Sequence, residues 1–250
     1  MIPQSPQPVT HDVVDESLRA KTPDRIAGMF DAIAGRYDLL NRLLSAGLDQ
    51  RWRRRAVNAL RLTGRETLLD LCTGTADVAI MACGRGGAAR AIGVDFSHQM
   101  LRIGLAKVRK RQSDRAVVLI RGDAAAIPVA SDSVEAATMA FGIRNVQRPE
   151  LACRELARVV RRGGRLAILE FGLPRPASIR RVYLWYSNRV LPAIGKLVSR
   201  HRSAYDYLPD SVSRFPPPEE FGQLLQESGF PHVEIVPLTF GIVYLYVAQR

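Results

Sequence analysis

The chain has 250 residues, of which 47% are apolar, and a net charge of +12 at pH 7. This size and composition are those of one large folded domain and exclude a mainly disordered chain. No apolar run approaches the roughly 20 residues that a membrane-spanning helix requires. The 3 cysteines and 4 histidines show no spacing typical of a metal site or a disulfide framework, so we expect no metal. The positive charge favours an anionic partner, either nucleic acid or an anionic membrane surface.

The N-terminal residues 1–20 are polar and proline-containing, without the basic region and apolar core of a signal peptide. We expect a disordered leader and a cytoplasmic protein. Residues 21–250 are expected to form a single domain, with 21–60 as an N-terminal helical lid and 174–210 as a basic helical lid insert.

From residue 66 onward, short apolar runs alternate with helical patterns. Strands are predicted at 66–72, 90–95, 115–123 and 134–140, and residues 161–172 are predicted as a turn, R-R-G-G, that leads into a fifth strand. Ser97 is the candidate N-cap of a helix over 97–111, and Gly229 ends a later helix. Two final apolar runs joined at Gly241 predict an antiparallel hairpin. The pattern predicts an α/β fold with a doubly wound, mostly parallel sheet of seven strands, whose ligands bind beyond the carboxyl ends of the strands.

The loop after the first strand, Leu68 to Asp77, is where such a fold binds a nucleotide-like cofactor. It lacks the G-x-G-x-x-G pattern of dinucleotide sites, and only Gly74 suits a close backbone approach. Asp70 and Asp77 flank the loop and would repel a pyrophosphate, but they suit a positively charged ligand. S-adenosylmethionine carries an ammonium and a sulfonium group and no phosphate, so the loop favours it over NAD.

Acidic residues also end the next two strands. Asp95 closes the second strand, 21 positions after Gly74, where a carboxylate can accept hydrogen bonds from both ribose hydroxyls. Asp123 and Ala124 end the third strand, where the adenine edge would lie. Each acid alone could equally be a helix cap or a turn residue, but acids after three consecutive strands predict a cofactor site.

Several stretches of the chain, in their order, resemble the C-methyltransferase family of menaquinone and ubiquinone biosynthesis, whose members are class I methyltransferases dependent on S-adenosylmethionine. They are F-D-A-I-A-G-R-Y-D-L-L-N-R-L-L-S-A-G-L-D-Q-R-W-R-R, D-L-C-T-G-T-A-D, G-V-D-F-S-H-Q-M-L, G-D-A-A-A-I-P-V, A-F-G-I-R-N-V, R-R-G-G-R-L-A-I-L-E-F and Y-D-Y-L-P-D-S-V. The likeness covers roughly residues 24–250. It implies that Thr75, Asp95 and the pair Asp123–Ala124 contact the cofactor.

The resemblance further implies that the substrate is a reduced quinone ring with an isoprenoid tail. We expect demethylmenaquinol, with the benzoquinol of ubiquinone biosynthesis as the alternative. The chain departs from the family at Ala76 and Thr73, where glycine is usual. An alanine at this point is strained if the loop requires a positive φ.

Methylation of an aromatic carbon requires electron density, which deprotonation of the neighbouring hydroxyl supplies. In the stretch F-G-I-R-N-V, Arg144 would stabilise the resulting phenolate and Asn145 would orient it. Tyr37 in the N-terminal lid is a third candidate for a hydrogen bond to the substrate. Because arginine is a poor base, proton removal is assigned to water. The alternative is structural: Arg144 pairs with a local carboxylate and Asn145 forms a turn.

Residues 174–202 combine arginines and lysines with aliphatic side chains and a tryptophan, without Asp or Glu. This composition suits peripheral contact with an anionic membrane, at its inner face. A lid with a solvated basic face is the alternative. Pro192 predicts two helical pieces.

A different class of function is an RNA-binding or RNA-modifying methyltransferase. Its phosphate contacts would be Arg51, Arg53, Arg54, Arg55, Lys107, Arg109, Lys110 and Arg111. F-G-I-R-N occupies the position where an N-P-P-Y-like motif would read a base, and we find no RNA-recognition module.

Overall fold

The computed structural model of the protein describes residues 21–190 and 203–250. The expected leader 1–20 and the part of the basic segment that contains Pro192 lie outside these residues. The helices are α1 (Pro23–Leu44), α2 (Leu48–Ala59), α3 (Asp77–Met81), α4 (His98–Lys110), α5 (Pro149–Val159), α6 (Ala177–Trp185), α7 (Ser203–Ser213) and α8 (Pro218–Glu227). The strands are β1 (Thr67–Leu71), β2 (Arg90–Asp95), β3 (Val117–Arg121), β4 (Val134–Ala140), β5 (Val160–Phe171), β6 (His232–Leu238) and β7 (Val243–Gln249).

The seven strands form one sheet in the order β3-β2-β1-β4-β5-β7-β6. Strands β1 to β5 pair in parallel, whereas β7 is antiparallel to both β5 and β6. The predicted doubly wound fold with a terminal antiparallel hairpin is therefore confirmed. Because β1 pairs with β2 on one side and β4 on the other, the strand order reverses at β1, and ligands of such sheets bind at this point.

Both faces of the sheet are covered by helices. On one face α5 and α8 contribute Leu156 and Phe221 to the core, and on the other α2 and α3 contribute Trp52 and Val78. Each fully buried side chain of this size stabilises the fold by about 1.5–3 kcal/mol. The two layers of helices hold the carboxyl ends of the central strands in fixed positions.

Local signals in the sequence set several of these boundaries. The Oγ of Ser97 accepts a hydrogen bond from the Met100 amide at 3.2 Å, which confirms Ser97 as the N-cap of α4. Gly229 follows α8 with φ +116°, a conformation that favours glycine. Residues 161–164, predicted as a turn, lie within β5. There the pairing with β4 jumps from Val160 to Arg165, so the predicted turn is accommodated as a bulge.

Candidate functional site

A cleft of about 980 Å³ lies beyond the carboxyl ends of β1, β2 and β4. Four residues predicted to bind the cofactor line it: Gly74, Asp95, Asp123 and Ala124. The Asp95 carboxylate accepts hydrogen bonds from the Gly74 amide at 2.8 Å and the Ser97 amide at 2.9 Å. Burial raises the pKa of Asp95, and these two amides oppose the increase. The carboxylate is therefore held in a fixed orientation at the end of β2.

Asp70 lies behind the loop and not among the residues that line the cleft. Its side chain is completely buried and accepts hydrogen bonds from Thr73 Oγ1 at 2.6 Å, Thr138 Oγ1 at 2.8 Å and the Ala79 amide at 3.2 Å. Burial raises the pKa of Asp70 to about 6. Thr138 is on β4, so this carboxylate joins β1, the loop and β4 from within the protein.

The two departures from the family pattern have visible structural consequences. Thr73 donates to Asp70, and its Oγ1 lies only 2.9 Å from where a Cβ on Gly93 would stand, so threonine here requires glycine on β2. Ala76 is fully buried with φ +65°. An L-residue in this left-handed conformation costs about 1–2 kcal/mol, so the loop retains the backbone that glycine would adopt without strain.

A cluster of four polar side chains, which we call the α1 clamp, joins the N-terminal helix to the cofactor loop. It consists of Asp38, Thr75, Asp77 and Lys107. The Lys107 ammonium lies 2.6 Å from carboxylate oxygens of both Asp38 and Asp77 and donates to Thr75 Oγ1 at 2.8 Å. Thr75 in turn donates to Asp38 at 2.6 Å. One ammonium thus serves two carboxylates. Asp77 is ion-paired in this cluster and does not line the cleft, whereas the sequence analysis expected its charge to serve a positively charged ligand.

Asp31 makes a second connection between α1 and the cofactor site. One of its oxygens accepts hydrogen bonds from the Ser97 hydroxyl and from the Gln99 amide at 3.0 Å, at the N-terminus of α4. Sequence reasoning missed both Asp31 and Asp38. Their spacing of two helical turns, which puts two acids on one face of α1, is the signal that could have found them. Between these ties, α1 lies over the cleft, with Tyr37 about 4.0 Å from where a Cβ on Gly74 would be.

A second cavity, the apolar chamber, has a volume of about 1350 Å³. Aromatic side chains form much of its wall, and the rings of Phe141 and Phe171 lie 4.7 Å apart between centroids. Four residues line both the chamber and the cleft: Phe30, Tyr37, Phe141 and Asn145. The two cavities therefore meet at the end of β4, where the stretch F-G-I-R-N begins.

Arg144 stands in a single 3-10 turn after β4 and lines the chamber. Its Nη1 donates to Glu170 Oε1 at 2.6 Å and to the Phe141 carbonyl at 2.7 Å. Burial, the largest single effect, lowers the pKa of Arg144, but the charge and hydrogen bond of Glu170 together with Tyr37 and Tyr207 outweigh it, and the pKa is raised overall. The structural alternative, pairing with a local carboxylate, is thus observed. Sequence reasoning did not identify Glu170, since it is on β5, 26 residues after Arg144 in the chain.

Within the described residues, Arg144 and Asn145 each keep one buried polar atom that makes no hydrogen bond. Asn145 Nδ2 donates to the Phe141 carbonyl at 3.3 Å. Within the described residues, Arg144 Nε and Asn145 Oδ1 are buried without a hydrogen-bond partner. A buried donor and a buried acceptor left unpaired are costly, and here both belong to residues that line the chamber.

Gly142 is required by a close approach between the ends of β1 and β4. A Cβ at this position would stand 2.5 Å from Cys72 Cβ and 3.0 Å from Cys72 Sγ. The neighbouring Phe141 and Cys72 both have positive φ, +62° and +53°. Strained backbone of this kind concentrates at functional sites, and it turns the chain after β4 so that both cavities share one wall.

The basic clusters considered for RNA are only partly available to a ligand. Arg53 is buried, and Lys107 is engaged in the α1 clamp. Arg51, Arg54, Arg55, Arg109, Lys110 and Arg111 are exposed. Two of the predicted phosphate contacts therefore have structural roles.

The sheet topology and the cleft at the strand-order reversal define the protein as having the class I fold of methyltransferases that use S-adenosylmethionine. The model of the ubiE/COQ5 methyltransferase family matches residues 18–250, and the chain belongs to this family. Its cofactor is S-adenosylmethionine, as the sequence predicts.

Relatives match over nearly the whole chain. The ubiquinone/menaquinone biosynthesis C-methyltransferase UbiE of Syntrophotalea carbinolica is 45% identical, over 89% of this chain and 92% of the relative. The demethylmenaquinone methyltransferase of Thermus thermophilus is 44% identical, over 89% of this chain and 100% of the relative. A solved methyltransferase structure from Thermotoga maritima has a TM-score of 0.61 at 20% identity, covering 90% of this chain and 99% of that one, and shows the shared fold.

Proposed function

We propose that the protein transfers a methyl group from S-adenosylmethionine to a ring carbon of a reduced prenylated quinone, converting demethylmenaquinol to menaquinol. The observation that supports this most directly is the shared wall of the two cavities. Tyr37, Phe141 and Asn145 face both the cofactor cleft and the apolar chamber. A flat apolar ring at this junction would meet the cofactor on one side, and the chamber would accept a hydrocarbon tail.

The residues of the cleft fit the cofactor. Asp95 presents a carboxylate to a ribose, Asp123 is at the adenine end, and Phe96 and Met100 supply apolar walls. The cofactor, when bound, supplies an electrophilic methyl group. The protein's contribution to the transfer is to hold the ring carbon in line with that group and to exclude water, which α1 achieves by covering the cleft.

Arg144 and Asn145 activate the acceptor. In the neutral quinol the hydroxyl donates to Asn145 Oδ1, which orients it. Arg144 Nε donates to the quinol oxygen, so the quinol oxygen carries negative charge at lower cost once its proton has left Asn145 for water. The charge spreads onto the adjacent ring carbon, which would form the new C–C bond as the bond between the methyl group and the sulfonium sulfur breaks. That carbon then loses its own proton to solvent, which restores the aromatic ring as a phenolate. The phenolate oxygen takes up a proton from water, so that one proton is released overall. Tyr37 contributes a further hydrogen bond from the lid.

The naphthoquinol is the acceptor common to the names of the relatives. The Thermus thermophilus and Bacteroides fragilis relatives are named for demethylmenaquinone alone, and the name UbiE covers both menaquinone and ubiquinone. We therefore assign the naphthoquinol ahead of the benzoquinol.

We also propose that the protein binds the surface of an anionic membrane, where such a tail resides. Leu39, Leu43, Val182 and Trp185 expose large apolar side chains. They lie next in sequence to residues that line the chamber, and the Tyr186 hydroxyl ties α6 to the end of α1 by donating to the Leu44 carbonyl at 2.9 Å. Within the described residues no helix is long and apolar enough to cross a bilayer.

A methylation assay tests the main proposal. Chemically reduced demethylmenaquinone and the benzoquinol precursor are supplied side by side, and products are identified by mass spectrometry. We expect a methyl gain on the naphthoquinol and a loss of about 10²–10³-fold in kcat for Arg144→Met, the cost of removing one oxyanion donor. Arg154→Met, on the exposed face of α5, is the matched control. Methylation of neither ring by a protein that binds the cofactor would exclude this substrate class.

Co-sedimentation with vesicles tests the membrane proposal. We expect vesicles that contain anionic lipid to capture more protein than neutral vesicles, and Val182→Ser with Trp185→Ser to reduce capture. Leu105→Ser changes an exposed apolar residue on α4 and should bind like the wild type. Equal capture by the two vesicle types would refute a basic membrane-binding surface.

A further inference from the structure

Tyr207 on α7 is a buried tyrosine with an unused hydroxyl. Its side chain is 4% exposed, packs with Met29, Ile26 and Phe30 of α1, and lines the apolar chamber. In the part of the chain that the structure describes, its hydroxyl has no hydrogen-bond partner. A tyrosine buried for packing alone would be expected to be phenylalanine, because buried tyrosine hydroxyls normally find a partner.

The buried polar atoms that lack a hydrogen-bond partner, within the described residues, are concentrated around the chamber. Within the described residues, four buried side-chain atoms have no partner: Arg53 Nε, Arg144 Nε, Asn145 Oδ1 and Tyr207 Oη. All four residues line the chamber. Arg53 differs from the others, since its guanidinium lies 3.8 Å from the Asp49 carboxylate and 5.7 Å from the Phe141 ring centroid. The remaining three offer two donors and one acceptor to a ligand.

The proposed substrate needs such a set of polar atoms. A quinol has two oxygens on opposite sides of its ring. Arg144 Nε and Asn145 Oδ1 belong to adjacent residues, and as one donor and one acceptor they serve one hydroxyl group. A second oxygen placed in an apolar chamber without a partner would be costly. Tyr207 lines the same chamber from a different element, and its hydroxyl is a donor without a partner within the described residues.

We propose that Tyr207 is a further substrate-binding residue, whose hydroxyl donates a hydrogen bond to the second oxygen of the quinol, beside the prenylated carbon. This inference rests on the proposed function. Burial raises the pKa of Tyr207 to about 12 even though the nearby Arg144 charge lowers it. The hydroxyl therefore keeps its proton at neutral pH and serves as a donor, not as a base.

Binding of two ligands to two variants tests this role. One ligand is a naphthalenediol with a single prenyl unit. The other is the matching naphthol that lacks only the hydroxyl beside the prenylated carbon. Affinities are measured anaerobically by fluorescence, with S-adenosylhomocysteine present so that no turnover occurs. We expect the wild type to prefer the diol about tenfold, the value of one hydrogen bond in a buried site, and Tyr207→Phe to lose that preference by weakening diol binding alone.

Tyr186→Phe is the matched control, because the Tyr186 residue lines the same chamber but its hydroxyl already donates to Leu44. It should keep the preference for the diol. If Tyr207→Phe also keeps the full preference, or if the wild type binds diol and naphthol equally, the role of Tyr207 is refuted while the proposed function stands. If the wild type binds neither ligand but binds S-adenosylhomocysteine, the quinol assignment fails and the inference with it.

Discussion

Arg144 Nη1 lies 2.6 Å from Oε1 of Glu170, and the Glu170 side chain has no solvent exposure. Glu170 also accepts hydrogen bonds from the Arg144 amide at 3.2 Å and the Phe171 amide at 2.8 Å. The carboxylate thus fixes both ends of the arginine, its backbone and its guanidinium. Since the pair is close to neutral, Arg144 is not an uncompensated charge, and within the described residues its Nε remains a buried donor without a partner.

Removing the carboxylate of this pair should destabilise the protein strongly. Glu170→Ala leaves a buried arginine without its counter-charge, and we expect a loss of about 3–5 kcal/mol in the free energy of unfolding. Urea denaturation measures it. Glu219→Ala is the control, because the exposed pair of Glu219 with Arg175 is expected to contribute only about 0–1 kcal/mol. Equal losses in the two variants would contradict the assigned importance of Glu170.

The α1 clamp predicts that a lysine outside the cleft controls cofactor binding. Lys107→Met removes the ammonium that joins Asp38 of α1 to Asp77 of the loop. We expect faster hydrogen exchange in residues 23–44 and roughly 3- to 10-fold weaker binding of S-adenosylhomocysteine, as suits a partly exposed network. Lys110→Met changes an exposed lysine on the same helix and should alter neither. Unchanged exchange in α1 would show that the clamp does not hold the lid.

The buried Asp70 predicts a specific dependence of stability on pH. Its pKa in the folded protein is about 6, above the ordinary value of 3.8 for an aspartate, so between these pH values the folded state binds more protons than the unfolded state. Asp70 therefore makes stability fall as pH rises from about 4 to 6, by a total of about 3 kcal/mol. Asp70→Asn should remove this contribution. Denaturation curves for both proteins at pH 4 to 7 measure it, and a constant difference between them across that range would contradict it.

Gly142 predicts a steric defect at the end of β4. In Gly142→Ala the new Cβ would overlap Cys72, and overpacking of this kind typically costs about 1–3 kcal/mol. Gly35→Ala in α1 meets no atom within 4 Å and should stabilise the helix by about 0.5–1 kcal/mol. Adding Cys72→Gly to Gly142→Ala removes the clashing Cβ and should recover part of the loss. Thermal denaturation of Gly142→Ala, Gly35→Ala and the double variant shows whether the contact with Cys72 is what excludes a side chain at position 142.

The sequence by itself determined the succession of strands and helices along the chain, the fold class, and the positions of the loop after β1 and of F-G-I-R-N after β4. Period-two and period-3.6 patterns, caps such as Ser97 and glycines such as Gly229 are local properties, which a single chain records directly. The family motifs added the cofactor and the predicted substrate.

Only the tertiary structure decided which groups meet. The pairing of Arg144 with Glu170, the inward placement of Asp70, and the capture of Asp77 by Lys107 all join residues that are distant in the chain. The same holds for Tyr207, which the fold of α7 against α1 brings into the chamber. The sequence shows that a charge or a hydroxyl is present, whereas its partner, burial and pKa depend on packing between elements that no local pattern encodes.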